Sequence, residues 1–198
     1  MPLPTAVDLR RGITNWLPLG NLSRNDCTIA AYEHVNMVKN LAASSWWKRL
    51  AYKIGYRPPS NSYAISEYVD FLATLNERPG AGVAPSQFLA WEKQQGRISD
   101  YTNLDIYQGN ANDIIRQGMI DWTGCLLVLE LTKRAYWLGD WPGKWELVGN
   151  DKPLPSLVHA VAMVGYGPLN NIIITWGIAK QMTIPFTEVT VIECWVWR

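Results

Sequence analysis

Two short stretches hold the side chains able to do covalent chemistry. The first, Asn21-Leu22-Ser23-Arg24-Asn25-Asp26-Cys27-Thr28-Ile29-Ala30-Ala31, is a polar, turn-forming run whose cysteine opens an alanine-rich helical pattern. A thiol in a helix's first turn meets peptide N–H groups that lack helical partners and the positive end of the macrodipole. Both favour thiolate, the form that attacks carbonyls. The second stretch, His159-Ala160-Val161-Ala162-Met163-Val164-Gly165-Tyr166-Gly167, supplies the base that such a thiol needs. Neither stretch is decisive by itself; their order and separation are what inform.

These residues need elements to position them. Ile29, Ala30, Tyr32, Val35, Met37, Val38 and Leu41 fall at helical spacing, so a buried helix is expected over 27–43 with Asn25 or Asp26 as its cap. Ahead of it, residues 1–26 hold three prolines and few apolar runs, which reads as an extended arm crossing the surface. Residues 44–62 end in Pro58-Pro59-Ser60-Asn61 and read as a loop. Further helices are expected over 62–75, over 85–95 with Pro85 at the first position, and over 112–122 after Asn110 or Asn112. From Cys125 the period changes. Residues 126–131 read as a buried strand, and a loop carrying tryptophans 137, 141 and 145 follows. Strands are then expected over 158–165, 172–176, 181–184 and 189–197. Helices first and strands after make an α+β chain.

At 198 residues the chain suits one domain, a helical lobe over about 1–120 and a β lobe over about 121–198, with the arm crossing between them. A net charge of +1 argues against nucleic acid or an anionic membrane as partner. No run of 18 apolar residues is present, so no membrane span is expected, and no secretory signal is visible. Three cysteines, Cys27, Cys125 and Cys194, leave at least one thiol free, which suits a reducing, cytoplasmic compartment. Their wide spacing, and two histidines that share no turn, give no zinc pattern; neither metal nor cofactor is expected. Eleven tryptophans, the Trp46-Trp47 pair among them, suggest a surface made for a protein or peptide partner.

The motifs resemble those of papain-like cysteine peptidases. Val7-Asp8-Leu9-Arg10 is similar to the start of the mature enzymes, and Asp8 and Cys27 stand nineteen positions apart, as in that family. His159 through Gly167 is close to the family's histidine strand. Ile172-Ile173-Ile174-Thr175-Trp176-Gly177 falls where the family has Asn-Ser-Trp-Gly. Cys27 and His159 are 132 positions apart, inside the roughly 130–150 of this fold. A second resemblance is to phage and bacterial proteins with Gly-Asn-x-x-x-x-Asp-Cys (Gly20-Asn21 to Asp26-Cys27), His-x-Val-x-x-Val-Gly-Tyr and Thr-Trp-Gly patterns. The Asp-Cys pair is also similar to that of double-glycine leader peptidases.

The resemblance implies that Cys27 is the nucleophile and His159 the general base. Asn21, six residues before the cysteine, takes the place of the oxyanion-hole glutamine with a stem one methylene shorter. Ile174 takes the place of the asparagine that orients the histidine. By strand alternation Ile174 and Trp176 should both cover His159, with Thr175 pointing away. His34 is expected to be a packed or half-exposed helix residue, and Cys125 and Cys194 to be core. Because the chain begins where mature peptidases begin, no inhibitory propeptide is expected. Two functions follow from the resemblance: a narrow Cys-His hydrolase (peptidase or amidase), or a non-catalytic papain-fold protein that binds or assembles, such as a virion or accessory component.

Overall fold

A computed structural model describes residues 2–10, 12–21, 25–43, 59–139 and 143–198; most of the expected 44–62 loop, the Trp46-Trp47 pair and Trp141 lie outside the described residues. The elements run β1 (Val7–Asp8), α1 (Cys27–Ala43), α2 (Asn61–Thr74), α3 (Pro85–Gln94), β2 (Tyr101–Asn103), α4 (Ala111–Asp121), β3 (Cys125–Thr132), α5 (Lys133–Leu138), β4 (Lys144–Trp145), β5 (Pro153–Tyr166), β6 (Asn170–Thr175), β7 (Ile178–Thr183), α6 (Ile184–Thr190) and β8 (Val191–Trp197). The α+β architecture expected from the sequence is the one observed.

Four helices begin on side chains that accept a backbone N–H left over at the first turn. Ser60 accepts from Tyr63, Asn110 from Asp113, Thr132 from Ala135 and Thr183 from Phe186. Each such cap is worth about 1 kcal/mol. Two of them start helices where strand or loop was expected. Thr132 turns the chain into α5 inside the tryptophan loop. Thr183, with a proline in the first turn, starts α6 ahead of the β-branched run that begins β8.

The strands form one sheet in the order β2-β8-β3-β5-β6-β7-β4, antiparallel except where β4 meets β7. Alternation along β3 and β5 divides the core between its two faces. Leu126, Val128, Ala160, Ala162 and Val164 pack under α1, against Ile29, Val35 and Val38. Leu127, Leu129, Val161 and Met163 face the opposite way, towards Ile115 and Met119 of α4 and Phe186 of α6. Cys125 and Cys194 are both fully buried on this second face, and the neighbouring Cys125 together with burial pushes the Cys194 thiol up.

In the N-terminal arm, β1 pairs antiparallel with the end of β5, Val7 opposite Tyr166 and Asp8 opposite Gly165. Gly165 makes this possible. A Cβ there would lie 2.6 Å from the Val7 carbonyl oxygen, so any side chain would push the arm off the sheet.

Candidate active site

Cys27 is the first residue of α1, and the Ala30 N–H closes the first helical bond on the Asp26 carbonyl at 3.0 Å. The thiol is partly buried, packed on the core face under the sheet. Backbone N–H groups of Ala160 in β5 and of Thr28 and Cys27 at the helix start approach the sulfur and favour its charged form. The helix N-terminus therefore meets the strand one residue after His159. Burial nonetheless pushes the Cys27 thiol up, the N–H groups oppose that only in part, and the neighbouring Asp26 carboxylate adds to it.

His159 lies on β5 opposite Leu129. Its ring is stacked on Trp176, centroids 4.3 Å apart and planes 11° from parallel, and Trp145 meets it edge-on at 6.5 Å. Trp145 is itself wedged against Phe186 and Trp176. Inside this aromatic wall, loss of hydration drags the imidazole pKa down to about 3. Nε2 is hydrogen-bonded to Thr175 Oγ1 at 2.8 Å. Nδ1 bonds to none of the described residues and is not among the atoms sealed without a partner, so it opens to solvent.

The surroundings of His159 correct the strand-alternation expectation. Ile174 does not cover His159; it packs on the opposite face, in the core under α1. Thr175 does not point away; its hydroxyl holds the ring. Regular alternation ends at Thr175, which pairs with Ile178 across a two-residue turn. Trp176 and Gly177 have φ of 47° and 80°, as a type I′ hairpin requires at both central positions. The turn folds Trp176 back to the side that Thr175 already occupies. A Trp-Gly pair two residues long between β-rich runs was the available sequence signal.

Asn21 ends the turn that precedes the cysteine loop, with its N–H donating to the Pro18 carbonyl at 3.0 Å. The Leu17–Pro18 backbone of this segment lies directly over Gly177, where a Cβ would come within 2.7 Å of both residues. The segment carrying Asn21 is thus seated on the same turn that roofs His159. The Asn21 amide makes no hydrogen bond to a described residue, which leaves its N–H groups available. His34 holds this segment from α1. Fully buried, its Nε2–H is shared between the Trp16 and Leu17 carbonyls at 2.9 and 3.0 Å, and burial lowers its pKa to about 4. Asn61 Oδ1 accepts from Leu19 N–H at 2.7 Å on the other side.

Beside this constellation runs a groove of about 470 Å³. Its walls are the arm, with the bidentate Arg10–Asp8 pair at 2.7 and 2.9 Å, and the hairpin residues Gly177 to Ala179. Val158, next to His159 in β5, and Tyr136 and Trp137 of α5 stand exposed; Trp137 shows 72% of its surface. Among the described residues, no three His, Cys, Asp or Glu side chains converge as a metal site would need, and no helix is long and apolar enough to cross a membrane.

No protein-family model matches the chain. No curated protein sequence matches it either. Solved structures do. Xylellain, a cysteine protease from Xylella fastidiosa, superposes with a TM-score of 0.69 over all of this chain and 87% of its own, at 14% identity. Digestive procathepsin L 3 from the Tenebrio molitor larval midgut gives 0.67 over all of this chain and 70% of its own, at 11% identity. At such identities the likeness concerns the backbone, and it agrees with the helix-start cysteine set against a histidine strand: the chain has the papain-like cysteine protease fold.

Proposed function

We propose that the chain is a papain-type thiol hydrolase of narrow specificity, acting on an amide bond of a protein or peptide. Cys27 sulfur attacks the carbonyl carbon as its proton passes to His159 Nδ1. The oxyanion is held by the Cys27 N–H and the Asn21 amide. His159 then gives that proton to the leaving nitrogen as the C–N bond breaks. Water releases the acyl group from sulfur and restores the thiol. The observation that carries this reading is the approach of the Ala160 N–H to the Cys27 sulfur, which sets the thiol beside the histidine strand. The groove between the arm and the hairpin, and the exposed Val158 next to His159, give a polypeptide room beside the pair.

One observation favours a second reading, a papain fold retained for binding or for assembly into a larger complex such as a virion. Burial drives the thiol up and the imidazole down, so the resting pair is neutral rather than thiolate–imidazolium. The deciding experiment is turnover of a mixed fluorogenic peptide library by the wild-type chain, Cys27→Ala and His159→Ala. The hydrolase reading expects cleavage that Cys27→Ala abolishes and His159→Ala cuts at least a hundredfold. Cleavage that survives Cys27→Ala would refute it. No cleavage by the wild type, with partner association unaffected by Cys27→Ala, would establish the second reading.

A further inference from the structure

We infer that Thr175 is a positioning residue that holds His159 in the tautomer with its proton on Nδ1, keeping the Cys27–His159 pair latent until the hydroxyl turns. The inference rests on the hydrolase reading for its consequence, though not for the tautomer itself.

The hydroxyl has one proton to place, and among the described residues His159 Nε2 is its single hydrogen-bond partner. Both groups are buried: Thr175 is 1% exposed and His159 7%. Were the proton on Nε2, that N–H would donate to Oγ1. The hydroxyl proton would then sit among Trp145, Trp176 and the strand side chains with no acceptor, an arrangement that buried donors avoid. With Oγ1–H donating to Nε2, both the hydroxyl proton and the ring lone pair are satisfied. The imidazole proton then resides on Nδ1, the nitrogen that opens to solvent. An amide oxygen at this place could only accept, and would fix the opposite tautomer. A threonine hydroxyl can do either by rotating about its C–O bond, with no heavy atom displaced.

The consequence is latency. Nδ1–H has no lone pair to take the thiol proton, so attack must wait until water moves the ring proton to Nε2 and the hydroxyl rotates to accept it. A substrate that excludes or orders water at Nδ1 changes that balance, so turnover depends on the fit of the substrate as well as on the presence of the thiol.

His34 provides an internal standard. Its Nε2 faces two carbonyl oxygens, which can only accept, so His34 must carry its proton on Nε2. Long-range proton–nitrogen correlation of the two imidazoles in nitrogen-15-labelled protein at pH 7 reads both tautomers directly. The expected spectrum has opposite tautomers for the two histidines, assigned with His159→Gln. Thr175→Ser should keep the pattern. Thr175→Val should bring His159 to a mixture, and raise the iodoacetamide reaction of Cys27 about fivefold, since a tenfold bias relaxed to an even one raises the competent fraction from about one in eleven to one in two. Two Nε2–H histidines in the wild type would overturn the inference, as would Thr175→Val ring shifts identical to wild type. If Thr175→Val fails to fold, the wild-type and Thr175→Ser spectra still decide. Opposite tautomers in a protein that cleaves no peptide would sink the hydrolase reading and leave the tautomer assignment standing.

Discussion

Gly20→Ala tests whether the Gly-Asn-x-x-x-x-Asp-Cys pattern is a packing device around Cys27. Gly20 has φ of +92°, and a Cβ there would fall 2.1 Å from Asp26 Oδ2 and 3.0 Å from Ile65 Cγ1. Two costs add. An alanine forced into left-handed backbone costs roughly 1–2 kcal/mol. Displacing the Asp26 carboxylate, which is fully buried and has no open path to solvent, adds about 1–3 kcal/mol. The sum is about 2–5 kcal/mol, or a Tm lower by roughly 4–20 °C for a chain of this size. Gly149→Ala separates the terms: its φ is +59° but nothing lies within 4 Å of the added Cβ, so only the backbone cost applies. Differential scanning calorimetry of both variants gives the difference. Cys27 alkylation rates then show whether moving Asp26 disturbs its neighbour. Equal Tm losses for the two variants would refute the account, because the contact with Asp26 would then carry no energy.

Stability should be flat between about pH 4.5 and 6.5 and fall on both sides. Burial first, then the neighbouring carboxylates, raise Glu33 to about 7 and Glu67 to about 8 where α1, α2 and α3 meet around Glu92 and Arg97. The folded chain therefore keeps two protons that the unfolded chain loses above about 4.5, and stability drains as pH rises towards 8. His34 and His159, lowered to about 4 and 3, refuse two protons that the unfolded chain takes below about 6.5, so stability drains as pH falls towards 3. In the middle range the two pairs cancel. Each uncancelled proton gives a slope of about 1.4 kcal/mol per pH unit. Calorimetry from pH 3 to 9 checks the shape, and Glu67→Gln should flatten the alkaline limb alone; a limb unchanged in that variant would contradict the assignment. Separately, Trp176→Ala removes the ring stacked on His159 and readmits water, so an NMR titration should show the His159 pKa climbing from about 3 towards its ordinary 6.5. A pKa that stays put would mean that Trp145 and the strand, not Trp176, exclude the water.

What could be read from the chain itself was whatever depends on neighbours in sequence. The helix over 27–43 was legible because a turn-forming polar run gives way to apolar residues spread nearly all round a helix, as a buried helix requires, and the structure places α1 at those residues. Thr175 was not, because its face is set by cross-strand register: Ile174 pairs with Ala162 and Ile173 with Met163, so Thr175 falls on the His159 side, and the turn brings Trp176 to that side as well. Burial patterns cannot fix that register when both faces of the strand are apolar, as they are along β6.

The thiol at the start of α1 shows the same division more sharply. The sequence correctly puts N–H donors around Cys27, and the structure supplies a further one from Ala160. A helix terminus and a few N–H groups favour a thiolate by amounts of order 0.3–2 kcal/mol. Withdrawing the sulfur from water acts against the charge, and its scale is several pKa units for a well-buried group, each worth about 1.4 kcal/mol. The second effect wins here, and no local pattern encodes it. The water is removed by β5, by the loop seated on Gly177 and by the core face under the sheet, segments 130 or more positions away in part. A cysteine's place at a helix start is thus legible in the sequence, while its charge state belongs to the tertiary fold. If Cys27 reacted with iodoacetamide at a rate independent of pH from 5.5 to 8, the donors would have won after all, and the ranking of these two energies would have to be reversed.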